Sequence, residues 1–286
     1  MKPAPFAYER PETLATALTL LADGGDETRI LAGGQSLVPM MNFRVAKPAR
    51  LIDINRLPDL DHIRREGDEI AIGALARHAD VKASRVIAEA SPLMHQAYEW
   101  VAHSAVRNRG TLAGNLCHAD PASEMPAIML VLDATLVVRS AALERRIAAA
   151  DFFTGLYETA LQPGEMLVEI RIPVMSRGQS WGFREVSMRK GDFAWTLVAS
   201  VLTINGGTVS NAAIAAAGIG DRALRLDAAE TALQGKPATA DSFAQAADIA
   251  ANSIDPAHDA LTSSAYRRDL VRSLVKATLT EAATRT

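Results

Sequence analysis

Cysteine is nearly missing from this sequence: Cys117 is the single one among 286 residues. The chain therefore forms no internal disulfide and no CxxC redox pair, and it cannot by itself hold a thiolate-ligated iron–sulfur cluster. A lone free thiol fits the cytosol. Positive charge is not in excess either, with 30 Lys and Arg against 33 Asp and Glu and a net charge of -3. That balance argues against a nucleic-acid binder, which usually carries a basic face. No apolar run approaches the ~18 residues of a membrane span. The segment Met1-Lys2-Pro3-Ala4-Pro5-Phe6 also lacks the apolar stretch that directs export. A cytoplasmic protein with no transmembrane segment is expected. Two signatures of chemistry are missing as well: no serine sits in a G-x-S-x-G elbow, and there is no G-x-G-x-x-G dinucleotide fingerprint.

What is present is a chain of 49% hydrophobic content, long enough for large cores and two domains. Residues 11–21 have a helical pattern that stops at Gly24-Gly25, and residues 28–31 form a strand candidate running into Gly33-Gly34. Ser36 is expected to cap the next helix, with Pro39 in its first turn, before a strand at residues 51–54. A second unit shows a strand at 69–73, a helix at 76–90, a helix from Ser91-Pro92 to about residue 102, and strands at 135–138 and 166–173. The composition turns polar around residues 175–180, which places a domain boundary there. Beyond it come strand candidates at 182–188, 197–204 and 209–216, then alanine-rich helices at about 222–234, 240–253 and 263–282. Strands followed by helices indicate an α+β unit.

Two glycine-bearing loops carry the chemistry. The first is Ile30-Leu31-Ala32-Gly33-Gly34-Gln35-Ser36-Leu37, and the second is Thr111-Leu112-Ala113-Gly114-Asn115. Each offers adjacent backbone N–H groups and small side chains, and so can surround an anion such as a dinucleotide pyrophosphate. An ordinary strand-to-helix turn has the same composition, but the pair in one chain makes a flavin dinucleotide the leading reading. Basic residues cluster at Arg107/Arg109 and at Arg184/Arg189/Lys190, either as solvated surface or as a site for a phosphate or an acidic partner. His118, Asp120 and Glu124 follow the second loop. Pro121 can open a helix there, which makes a capping or ribose-binding role for the acids more natural than metal coordination. No metal site is expected in this chain.

Residues 32–41 and 111–121 closely resemble the two FAD loops of the molybdenum hydroxylase flavoproteins. The likeness is to the medium subunit of carbon monoxide dehydrogenase and its relatives acting on N-heterocycles, nicotine and purines. It extends through Asp151-Phe152-Phe153-Thr154-Gly155 and residues 163–173, then into the C-terminal part. The resemblance implies an α+β fold. Residues 1–175 would form a two-part FAD-binding domain of the vanillyl-alcohol-oxidase (PCMH) type, with subdomains at about 1–57 and 58–175. Residues 176–286 would form a small α+β C-terminal domain. It also implies that residues 30–37 wrap the pyrophosphate and that residues 111–115 form the second phosphate loop. Val101 would lie near the FAD, Glu124 would bind its ribose or adjacent polar atoms, and Leu167 would pack on the cofactor. Arg184 falls where relatives often have a lysine close to the isoalloxazine, although arginine and lysine are not interchangeable. The second loop has Ala113-Gly114 where many relatives have Gly-Gly, and Tyr157 is a further candidate neighbour of the ring, with plain packing as its alternative.

By the same resemblance the chain is an electron-transfer subunit with no catalytic side chain of its own. A large partner subunit would hold molybdopterin and a small one two [2Fe–2S] clusters, in a dimer of heterotrimers. Electrons would pass from the clusters through FAD to an external acceptor such as quinone, NAD, oxygen or a carrier protein. A stand-alone flavin oxidase or dehydrogenase and a non-enzymatic nucleotide-binding module are the alternatives.

Overall fold

A computed structural model describes residues 1–256 and 258–285; Ala257 and Thr286, both inside the expected unit 176–286, lie outside the described residues. The first unit contains β1 (Ala7–Glu9), α1 (Leu14–Asp23), β2 (Thr28–Leu31), α2 (Leu37–Asn42) and β3 (Arg50–Asp53). Its three strands lie in the order β1-β3-β2, with both outer strands parallel to β3. Helix α1 starts after Thr13, whose hydroxyl accepts from the Thr16 amide, and buries Ala17, Leu18 and Leu21 against this sheet. Pro11 therefore precedes the helix.

The second unit runs from β4 (Ile63–Glu66) and β5 (Glu69–Gly73) through α3 (His78–Ala83), α4 (Arg85–Ala90), α5 (Pro92–Ala97), α6 (Ser104–Arg107), α7 (Leu112–His118) and α8 (Glu124–Val131). It closes with β6 (Thr135–Arg139), β7 (Glu144–Ala148), α9 (Ala149–Phe152), β8 (Phe153–Gly155), β9 (Glu158–Thr159) and β10 (Met166–Pro173). Its main sheet is antiparallel in the order β4-β5-β10-β6-β7. The third unit is the antiparallel sheet β11 (Gln179–Ser187), β12 (Ala194–Asn205), β13 (Thr208–Ala217) and β14 (Leu224–Arg225), followed by α10 (Asp227–Leu233), α11 (Ala240–Asn252) and α12 (Ser264–Ala283). Among the described residues no helix is long and apolar enough to cross a membrane.

Several expectations need correction. The helix expected over 76–90 is two helices, because Ser84 turns extended at ψ 123° and its hydroxyl caps α4 at Ile87. The helix expected to reach about residue 102 ends at Ala97, and Ala102 sits at φ 48°. The helix expected from 222 begins only at Asp227, after β14. Ser36 makes no side-chain cap; only its backbone leads into α2. Of helix α8 the sequence offers only a start near Pro121, and the helix begins at Glu124; all eight of its residues are buried, so no amphipathic stripe marks its extent.

The third sheet is covered on both faces, which explains its alanine content. Along β12, Leu197, Ala199 and Val201 join the core shared with α5 and α8, while Val198 and Leu202 join the core under α11 and α12. This is the period-two alternation of a strand buried on both sides. Helix α12 rests directly on β11, and a Cβ on Gly182 would lie 2.2 Å from the Thr278 carbonyl oxygen. The Gly182→Ala substitution should therefore destabilise the chain by about 2–3 kcal/mol through overpacking, read as a lower urea midpoint; an unchanged midpoint would mean that α12 does not press on this strand.

Candidate functional site

The two glycine loops meet. Gly33 sits so close to the second loop that a Cβ on it would lie 2.5 Å from the Arg109 carbonyl oxygen and 2.6 Å from Gly110 Cα. The next residue, Gly34, adopts φ 72°, a left-handed turn that glycine makes without strain. Beneath the contact, Asn55 donates from Nδ2 to the Ala32 carbonyl at 2.8 Å and to Asp53 Oδ1 at 2.6 Å. Arg77 donates from Nη2 to Asn55 Oδ1 at 2.5 Å and from Nη1 to the Arg109 carbonyl oxygen. Tyr8 donates its hydroxyl proton to Asp53 from the neighbouring strand. One polar chain thus runs from β1 through the end of β3 to both loops.

The second loop is itself fastened to the start of α3. The His78 amide donates to the Gly110 carbonyl at 3.0 Å, and the Leu112 amide donates to the Ala76 carbonyl at 3.2 Å. Below them the buried His78 ring shares a 3.1 Å hydrogen bond with the buried Tyr98 hydroxyl. Burial and the Arg107 charge push His78 down to about 4, so its ring is neutral at physiological pH. Thr111 caps α7 by accepting from the Gly114 amide at 3.0 Å, so what reads as a loop is a capped helix start. The amides of residues 33–37, and those of Thr111 and Ala113, find no acceptor among the described residues. These N–H groups, with no carboxylate in either loop, are the donor set that a pyrophosphate requires.

Val101 is 3% exposed and Leu167 is 3% exposed, and both join the core that contains Leu112, Ala113 and Phe183. Arg107 holds the Val101 and Ala102 carbonyls at 3.0 and 2.6 Å and so stabilises the left-handed Ala102. Asn115 spends its side chain on Ser123, donating to its hydroxyl at 2.8 Å and accepting from it at 3.1 Å. Asp120 does not cap α8. Its Oδ1 closes a turn on the Ala122 amide at 2.9 Å, its Oδ2 accepts from Tyr157 at 3.2 Å, and Ser123 occupies the cap position. Tyr157 stands at φ 56° with its ring 5.0 Å from that of His118. Among the described residues no group of three or more His, Cys, Asp or Glu side chains is placed to hold a metal ion.

Glu124, at the start of α8, is 4% exposed, and burial pushes its carboxyl up to about 7, with Asp120 adding repulsion. Arg184 is placed apart from this layer. It leaves β11 toward α12 and pairs with Glu281 at 2.8 Å. Strand alternation gives the opposite face to Phe183 and Glu185, and Glu185 is the residue that feels the charge of Glu124. Cys117 is half-buried against the main core, and burial pushes its thiol up to about 12, so that it stays a thiol at neutral pH. Sequence reasoning missed Asn55, Arg77 and Glu185. Only Asn55 leaves a mark, since an Asp-x-Asn ending a strand is a turn signal.

Known proteins resemble this chain in sequence and fold. Residues 4–175 match the family described as the FAD binding domain in molybdopterin dehydrogenase, and residues 181–282 match the CO dehydrogenase flavoprotein C-terminal domain. The chain is 41% identical to the 6-hydroxypseudooxynicotine dehydrogenase complex subunit alpha of Paenarthrobacter nicotinovorans, covering 99% of this chain and 96% of that one. It is 39% identical to the caffeine dehydrogenase subunit beta of Pseudomonas sp. (strain CBB1), covering 100% and 97%. A chain of the carbon monoxide dehydrogenase from Hydrogenophaga pseudoflava that lacks the Mo-pyranopterin moiety matches with a TM-score of 0.97 at 38% identity, covering 100% of this chain and 99% of that one. With this fold, this pair of joined loops and these relatives, the chain belongs to the FAD-binding medium subunits of the molybdopterin dehydrogenases, the flavoproteins of molybdenum-containing dehydrogenase complexes.

Proposed function

We propose that the chain is an electron-transfer subunit. It takes electrons from two [2Fe–2S] clusters on a small partner subunit and passes them to an external acceptor, while substrate is oxidised at molybdopterin on a large subunit. Bound FAD supplies a redox centre that can exchange electrons singly with clusters and in pairs with an acceptor. The observation that carries the reading is the contact of Gly33 with Arg109-Gly110, which brings two sets of unpaired amides to one place. Residues 30–37 and 111–115 hold the pyrophosphate in this reading. Val101 and Leu167 wall the cofactor, and Glu124 meets a ribose hydroxyl. Arg184 has no part in it.

The protein's contribution is to bind, orient and exclude water; none of its side chains acts as a general base. The names of relatives as subunits of dehydrogenase complexes support assembly with partners, in our reading as a dimer of heterotrimers. Just beyond the first loop, Phe43 is 69% exposed and Val45 is 73% exposed, an apolar surface of the kind that a partner covers. The free thiol of Cys117 fits operation in the cytoplasm.

Two outcomes follow. Gly33→Ala should force the loops apart and weaken FAD binding by about ten- to hundred-fold, measured by quenching of flavin fluorescence. Gly34→Val, with a β-branched side chain at φ 72°, should do the same or worse. Wild-type affinity in either would remove that loop from the site. Glu124 gives a pH signature in the cofactor-free chain. Its carboxyl titrates higher when folded than the ordinary 4.5, so the folded state holds the extra proton and stability falls as pH rises between about 4.5 and about 7. Glu124→Gln should shrink that fall by about 3 kcal/mol, read from urea midpoints at pH values on either side of the window. An equal fall in the variant would show that Glu124 ionises freely.

A further inference from the structure

Glu185 is a buried acid that the reading above leaves without a task. It is 7% exposed, and neither of its carboxyl oxygens has a hydrogen-bond partner among the described residues. The hydroxyl of Ser187, two positions along, is near enough to favour the charged form of Glu185, but it gives its proton to the Arg189 carbonyl at 3.0 Å. The neighbouring cation, Arg184, points to the other face of the strand and is engaged by Glu281. The charge that Glu185 does feel is of like sign, from Glu124. Folded proteins keep few such orphans, because an unsatisfied buried polar group costs stability without return.

Its position explains why it is kept. Phe183, on the same face of β11, is buried in one core with Val101, Leu112 and Leu167. The third sheet is docked on the turn that follows the second loop, where the Ala194 amide donates to the Ala122 carbonyl at 3.2 Å and the Gly218 amide to the Pro121 carbonyl at 2.8 Å. That turn is tied back to the second loop by the paired hydrogen bonds of Ser123 with Asn115. Glu185 lies on the same face of β11 as Phe183, near Glu124 at the start of α8. A carboxyl there repels phosphate, so the part of a flavin nucleotide that it suits is a hydroxyl of the ribityl or ribose chain or the imide N–H of the ring.

We propose that Glu185 is a cofactor-binding residue contributed by the C-terminal sheet, its carboxyl hydrogen-bonding an O–H or N–H group of the bound FAD. This rests on the FAD-binding reading above. The role predicts effects of opposite sign. In the full chain, Glu185→Leu should raise the melting temperature of the cofactor-free protein by roughly 2–4 °C, because the orphan is gone. It should also weaken FAD binding by about ten- to hundred-fold. Glu185→Gln, which keeps donor and acceptor atoms, should bind FAD within about threefold of the wild type. Should the leucine variant not fold, infrared difference spectra decide. Addition of FAD to the wild type should shift a carboxyl band that is missing in Glu185→Gln. A leucine variant that binds FAD as tightly as the wild type, or a carboxyl band unmoved by FAD, would overturn the proposal alone. A wild-type chain that takes up no FAD would overturn the reading beneath it as well.

Discussion

The contact of Gly33 with Arg109-Gly110, backbone against backbone, is the constraint on which the site depends. Two chain segments approach that closely only where side chains are absent, and any Cβ at Gly33 fills the space. The contact positions the amides of both loops without using them, so they stay available to an anion. What holds it in register is the chain of Tyr8, Asp53, Asn55 and Arg77, which joins the end of β3 to the carbonyls of both loops. Each bond contributes about 0.5–1.5 kcal/mol net, but their effect lies more in rigidity than in stability. Phosphate sites work when donors are fixed before the ligand arrives.

The third sheet extends this arrangement. Its small residues allow α8 to lie against one face and α12 against the other, which sets β11 beside the layer that carries the second loop. Around that layer the molecule carries several costs: non-glycine residues at positive φ in Ala102, Ala119 and Tyr157, and buried carboxyls in Glu124 and Glu185. Strain and unsatisfied polar groups of this kind concentrate at functional sites.

Much of this was legible in the sequence, for identifiable reasons. Glycines required by close backbone approach leave a plain mark, and both loops were found through them. Strands buried on both faces were found by their apolar runs. The body of helix α8 was not read, beyond a start near Pro121, because a helix buried all round has no period. Asn55 and Arg77 were missed because their importance comes from tertiary contact, and no local pattern separates Arg77 from a surface arginine. Arg184 and its neighbour Glu185 are separated by strand parity, Arg184 toward α12 and Glu185 on the face of Phe183. One residue of register exchanges the two faces, and sequence resemblance alone does not say which neighbour points inward.

The most direct test of the account is FAD titration of the purified, cofactor-free chain, followed by flavin fluorescence and visible absorption. The joined loops predict saturable uptake of one FAD per chain, with the bound flavin giving the visible bands of a flavoprotein. A folded chain that remains colourless at saturating FAD would contradict the claim that these two loops make a flavin nucleotide site.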